Sequence, residues 1–443
     1  MTKHTESTQP STAGQITLRS PAELADALPY LMGFHPDDSI VMVALHGERG
    51  RFGGRLRLGI PAANEEWAET SKQLAECLVS GSERRGDRPS AVIVFLCQDP
   101  AEGEAPEAVM ERLRPLAQRL RLACGRLDVP VLEALCISRG RFWSYCCPDS
   151  RCCPRGGTPL GLPGTTVMAA AAVYAGIEVR GSLREMEARF APLTGPRAQE
   201  QETALDEAGS ALIPRILGGA DRGVVREETL DLVRLLIERF RKASAVTGPV
   251  SADIGDDGLV APGEAAAIIL GLQDRQTRDR AAEWMEAPDA EPALRLWRAV
   301  ARRCVGAYQD HAAAPLTLAG WVAWSSGDET VARVALALAL RVDPDYLFAK
   351  LLHQGANEGL DPEALRRCLR EERDEREAGG ATCAESPVRP RGGRPRGRHP
   401  VGRAGRAPDA HPAAAGRGRI PAKRRGDGRR PVRRRRVYPR SRR

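Results

Sequence analysis

Aromatic side chains are scarce in this chain: 6 Trp, 6 Tyr and 7 Phe make up only 4% of its 443 residues. With 42% of residues hydrophobic, its cores must be filled by aliphatic side chains and alanine. Long apolar runs are also missing. The longest, Val167 to Ile177, falls short of the roughly 20 residues that a membrane-spanning helix needs, so no membrane association is expected. The opening from Met1 to Gln15 is polar and has Lys3 but no apolar segment, which argues against a secretory leader. A cytoplasmic location follows as the expectation, with the 11 cysteines held as thiols and not as a disulfide framework. His35, His46, His311 and His353 are scattered, with no triad partner and no His-x-x-x-His zinc spacing. No nucleophile comes with a base, so no catalytic residue is assigned, and whether the protein is an enzyme stays open.

What is present is unevenly spread. From Ala384 to Arg443 there are 20 Arg and one Lys against three carboxylates, a net +18, whereas the whole chain carries +8. The first 383 residues are therefore acidic, at −10. Past Ala384 there is no Leu, Phe, Trp or Met, so residues 379–443 form an Arg/Gly/Pro-rich tail expected to be disordered. Its charge suits phosphate backbones, and nucleic acid is a partner only through this tail. Tyr438 is its single aromatic, too little for base stacking. Arg, Gly, Pro and Ala use GC-rich codons, so the tail reads as a shifted reading frame or a dispensable extension.

Ahead of the tail, an α/β pattern gives way to helices. Residues 1–15 read as disordered. Ser20-Pro21-Ala22-Glu23 is a helix start, and that helix runs to Gly33. Strands are expected at Ser39–Leu45, Arg55–Ile60, Ala91–Leu96, Val129–Ser138 and Arg141–Tyr145, with helices at Glu65–Val79 and Pro106–Cys124 between them. This predicts a mixed sheet with helices over residues 16–178, partly parallel, with a hairpin at its start. An all-helical domain follows over 179–378, where a protein partner could dock. In it Gly248 to Gly258 reads as a flexible acidic linker and Pro262–Glu286 as one helix. Gly320, Gly327, Ala332, Leu336, Ala339 and Pro344 match a single tetratricopeptide-like helix pair, expected to pack on the helix of Leu294, Trp297 and Val300. Asp274 and Arg278 sit four apart, a spacing that allows a surface ion pair.

Cysteines gather in one place, Cys146-Cys147 and Cys152-Cys153, inside Arg141–Gly157. Thiolates are soft ligands, and four can close a zinc site. Adjacent cysteines in an extended segment point apart, however, so two or three could share an ion with help from elsewhere. Thiol binding or oxidant sensing is an alternative, and a tight loop lined by small buried residues stands level with all of these readings together. The glycine-rich run Gly156 to Thr166 leads into a helix and could hold an anion, but it lacks a P-loop lysine and is better read as a turn.

Leu18-Arg-Ser-Pro, Leu28-Pro, Gly33-Phe-His-Pro-Asp-Asp-Ser-Ile-Val41, the loop Cys147-Pro-Asp-Ser-Arg-Cys-Cys-Pro154 and Arg278-Asp279 together resemble an actinobacterial family of uncharacterised proteins, domain-of-unknown-function family 4192, over about residues 16–375. The resemblance carries no activity with it. It implies that Cys146 is the extra cysteine, leaving Cys147, Cys152 and Cys153 as the candidate thiol or metal set, with zinc the cofactor to consider. A cytoplasmic binding or regulatory protein is the function expected. An enzyme whose site lies where the cysteine loop meets the strand ends is one alternative, and nucleic-acid binding by the tail is the other.

Overall fold

The computed structural model describes residues 18, 20–147, 149, 151, 153–162, 164–217, 222–244 and 246–384. The expectations for residues 1–15 and for the basic tail fall outside these, apart from residues 379–384. Six strands form one mixed sheet in the order β2-β1-β3-β4-β5-β6: β1 Ser39–His46, β2 Arg51–Gly59, β3 Ala91–Cys97, β4 Val131–Ser138, β5 Arg141–Ser144 and β6 Thr158–Pro159. Only β3 and β4 are parallel, joined by helix α3, Pro106–Gly125; the other neighbours are antiparallel. The continuous apolar runs of β1 and β3 are explained by burial on both faces. Ile40, Met42, Val92, Val94 and Cys136 face α2 (Trp67–Arg84) and α3. Val41, Val43, Ile93, Phe95 and Leu135 face α1, Pro21–Met32.

Helix α1 starts as its sequence dictates. The Ser20 hydroxyl accepts from the Glu23 amide, Pro21 opens the first turn, and Gly33 closes the helix at φ 81° with its N–H donating to Pro29 O. Gly33 meets a second demand, because an added Cβ would lie 2.7 Å from the Thr330 Oγ1 of the helical half.

Helices α4 to α15 occupy residues 167–384, and a third core lies among α5 to α15. Its centre is α11 (Ala290–Arg302), α12 (Ala313–Ser325) and α13 (Glu329–Val342), with Trp297 and Trp321 fully buried. The tetratricopeptide-like pair is α12–α13. Gly327 turns the chain at φ 82°, and Gly320 lets α12 approach Leu336 so closely that a Cβ would sit 2.6 Å from its Cγ. Of this pair α12 packs on α11, whereas α13 packs on α12, on α5 (Leu183–Ala188) and on the next helix, Leu347–Glu358.

Three expectations fail. Residues 248–258 are not a flexible linker but contain helix α8, Pro249–Gly258, in which Asp256 and Asp257 are buried. Their charges are paired in the interior because α11 presents arginines to them: Arg295 Nη2 lies 2.6 Å from Asp256 Oδ1 and Arg302 Nη2 2.7 Å from Asp257 Oδ1. The segment 262–286 breaks into α9 (Pro262–Gly271) and α10 (Arg275–Ala281). The break falls where Asp274 caps α10, accepting from the Thr277 amide and hydroxyl and from Arg226. Asp274 therefore does not pair with Arg278, whose guanidinium instead lies over Tyr346 and Phe348 and bonds Asp279.

Candidate functional site

The cysteine loop is organised by two polar side chains. Ser144 Oγ donates to Glu133 Oε1 at 2.8 Å and accepts from the amides of Cys146 and Cys147 at 3.1 and 3.0 Å. The carbonyl of Asp149 accepts from the Cys153 amide at 2.8 Å, and the Cys147 Sγ lies 4.0 Å from the same oxygen. Cys146 turns instead against the sheet core, where burial and then Glu133 push its thiol pKa up. The adjacent thiols thus diverge, and the Asp149 carbonyl is met by the Cys147 thiol and by the backbone amide, not the thiol, of Cys153. Cys152 lies outside the described residues. Among the described residues, no three His, Cys, Asp or Glu side chains are gathered to hold a metal ion.

The glycine-rich run is anchored to the sheet by its carbonyl oxygens. Arg141 Nε donates to Gly156 O at 2.6 Å, Arg141 Nη2 to Gly157 O at 3.0 Å, and Trp143 Nε1 to Arg155 O at 2.8 Å. Thr166 caps the next helix, α4 (Val167–Tyr174), by accepting from the Ala169 amide. Because β5 runs antiparallel to β4, pairing Ser138 with Arg141 and Leu135 with Ser144, the cysteine loop opens beside Glu133. It lies away from the carboxyl ends of β3 and β4.

Those carboxyl ends carry a different polar set. In sheets with parallel strands, ligands bind beyond the carboxyl ends. Strand β1 begins there, since Ser39 pairs with Cys97, and Gly33-Phe-His-Pro-Asp-Asp38 leads into it. Asp38, at φ 42°, accepts from Gln98 Nε2 at 3.2 Å, and Gln98 Oε1 accepts from Arg112 Nη1 at 2.6 Å.

The same motif holds helix α5, Leu183–Ala188, in place. His35 N donates to Gly181 O and Leu183 N to His35 O, both at 2.9 Å. The amide of Arg184 donates to Asp37 Oδ2 and its guanidinium to Asp38 Oδ2, again at 2.9 Å each. The Asp38 bond, and the charge behind it, raises the Arg184 pKa. Ser182 and Glu185 close a capping box on α5.

Behind α5 opens a cleft of about 500 Å³. Phe190, Leu316, Leu338 and Val342 form its apolar floor, and Arg184, Glu187 and Arg341 its polar rim. Arg341 Nη1 lies 3.3 Å from Glu187 Oε1. Arg57 stands beside this group: burial lowers its pKa, Glu187 and Asp37 oppose the shift, and its Nε donates to Ser39 Oγ at 2.8 Å. Arg184 is the link, lining the cleft while bonding the strand-end aspartates. No spacing in the chain announces this cleft, because its walls come from residues 184–192, 301–316 and 338–342. The one available signal was the Gly33–Asp38 motif, which reads as a turn until Arg184 is seen on it.

With the geometry in hand, comparison with known proteins adds a family. Residues 21–363 match the sequence profile of a family described as a domain of unknown function, DUF4192. The chain belongs to this family. The match begins at the first residue of α1 and ends at the first residue of α15 (Glu363–Ala384), so in this chain it spans the sheet and the helices up to α15. No curated protein and no solved structure matches the chain. No helix among the described residues is long and apolar enough to cross a membrane.

Proposed function

We propose that this is a cytoplasmic, actinobacterial binding protein of regulatory type whose ligand enters the cleft between α5, α11 and α13. The ligand class is a small molecule with an apolar body and one acidic group. The observation that carries this reading is the cleft itself, an apolar floor with a few charged groups at its rim, of a size usual for small-molecule sites. On the rim Arg341 has one contact to Glu187 and a side chain 62% exposed, so its remaining N–H groups are free to meet a carboxylate. The Gly33–Asp38 motif supports the reading by fixing α5, which is one wall. A ligand here would touch the helical half alone and reach the sheet only through Arg184, which bonds Asp37 and Asp38.

Decanoate is a suitable probe, with decanol as the uncharged control, titrated calorimetrically into the full chain. One-to-one binding of decanoate is expected, weaker by about tenfold or more for decanol, or for Leu338→Asp, each a loss of about 1.4 kcal/mol. Leu338 is only half-buried, so the variant can fold. Absence of binding, or equal affinity in wild type and Leu338→Asp, would refute the proposal.

A further inference from the structure

Helix α11 carries Arg295, Arg298 and Arg302 on one face, with Arg303 at its end, and Arg189 approaches from the end of α5. Opposite them α8 supplies Asp253, Asp256 and Asp257. The pairs are well formed. Arg189 is bidentate on Asp253 at 2.8 and 3.0 Å, Arg295 bonds Asp256 at 2.6 Å, and Arg302 bonds Asp257 at 2.7 Å. Arg303 lies 3.4 Å from Asp257 Oδ1 and donates to the carbonyls of Asp257 and Val260. Five guanidinium groups therefore meet three carboxylates of α8, a surplus of two cations among these residues, with Glu291 of α11 acting on Arg295 at the more exposed end.

Arg298 is the member of the group without a direct partner, since Asp253 and Asp256 act on it only at a distance. It is 7% exposed, its Nε is enclosed without an acceptor, and it forms no hydrogen bond or ion pair with any described residue. Its guanidinium lies 5.6 Å from the centroid of the Phe190 ring, which holds the plane of the group but accepts no hydrogen bond from it. Burial lowers its pKa to about 9, with the charges of Arg189 and Arg302 acting in the same direction and those of Asp253 and Asp256 opposing them. That value is still above neutrality, so the group remains a cation. A buried cation of this kind is costly unless it is both paired and hydrogen-bonded.

We propose that Arg298, flanked by Arg189 and Arg302, is the anchor of a binding site for a divalent oxyanion such as sulfate or phosphate. The planar fork of a guanidinium matches two oxygens of such an ion. Two negative charges balance the excess of two. The site is separate from the cleft ligand, although Phe190 is shared: it lines the cleft and lies under Arg298.

The test is the melting temperature of the full chain, with sulfate or phosphate replacing chloride at constant ionic strength. Sulfate and phosphate stabilise many proteins by exclusion from the surface, an effect that grows without saturating. The site predicts a saturable rise in the wild type that Arg298→Met, which keeps an apolar stem over Phe190, loses. The basic tail is the same in both proteins and cancels. Arg298→Lys keeps the charge without the fork and should need about tenfold more anion for half-saturation. If Arg298→Met does not fold, the lysine variant carries the comparison. A wild type with no saturable component, or variants that match its anion dependence, would overturn the proposal.

Discussion

Replacing Gly320 by alanine separates packing from helix propensity inside the α12–α13 pair. In an unpacked helix interior this change is stabilising by about 1 kcal/mol. Here the new Cβ would lie 2.6 Å from Leu336 Cγ, 2.9 Å from Leu336 Cδ2 and 3.3 Å from Ala332 O. Leu336 is itself completely buried, and Ala332 O belongs to the backbone of α13. Neither can yield unless α13 moves, and α13 is held at its start by Thr330 against Gly33 and by Asp328 against Arg180. Overpacking of this kind costs about 1–3 kcal/mol, so the propensity gain is cancelled or outweighed, for a net loss of about 0–2 kcal/mol. Gly263→Ala is the control. Gly263 lies in α9 with no heavy atom within 4 Å of the new Cβ, and that variant should gain up to about 1 kcal/mol. Urea denaturation followed by tryptophan fluorescence reads both, with unchanged slopes. A Gly320→Ala protein that gains as much stability as Gly263→Ala would show that the two helices are not in the close contact described.

Two further outcomes follow from charge and burial. Arg239 holds Glu264 at 2.8 and 2.9 Å, and this bond, with that from the Ala261 amide, lowers the Glu264 pKa from 4.5 against burial. A lowered folded pKa means the contribution is whole above about pH 4.5 and disappears as pH falls through the folded value. The stability gap between wild type and Glu264→Gln should therefore close only in acid, and a gap unchanged well below pH 4.5 would contradict it. Burial pushes the thiols of Cys124 and Cys136 up to about 11, while Cys77 and Cys368 are exposed. Alkylation of native protein with mass mapping should mark Cys77 and Cys368 first, and early labelling of Cys124 or Cys136 would contradict the buried placement.

Local patterns were legible in the sequence where their causes were local. The apolar runs of β1 and β3, the Ser20 cap, and the spacing of Gly320, Gly327, Ala332 and Leu336 each depend on residues close in the chain. Helix α8 was not legible. Gly248, Pro249, Gly255 and Gly258 read as a loop, and Asp253, Asp256 and Asp257 read as solvated. Their helix is stabilised by arginines 39 to 46 residues away. In the same way Arg295, Arg298 and Arg302 look like a solvent-facing stripe until α8 covers them. Asp274 was assigned the wrong partner because spacing alone does not distinguish an N-cap from an ion pair. The cleft was invisible for the same reason as α8, since its walls meet only in three dimensions. For the cysteine loop, divergence of Cys146 and Cys147 was readable from their adjacency, whereas the approach of the Cys147 thiol and the Cys153 amide to Asp149 O depends on the turn organised by Ser144.

The cleft as the ligand site is tested most directly by hydrogen exchange on the full chain with and without saturating decanoate. Protection is predicted in 183–191 and 338–342, the two walls that carry Arg184, Phe190, Leu338 and Arg341, with the cysteine loop at 144–157 unchanged. Protection confined to 144–157, or protection nowhere, would contradict the account.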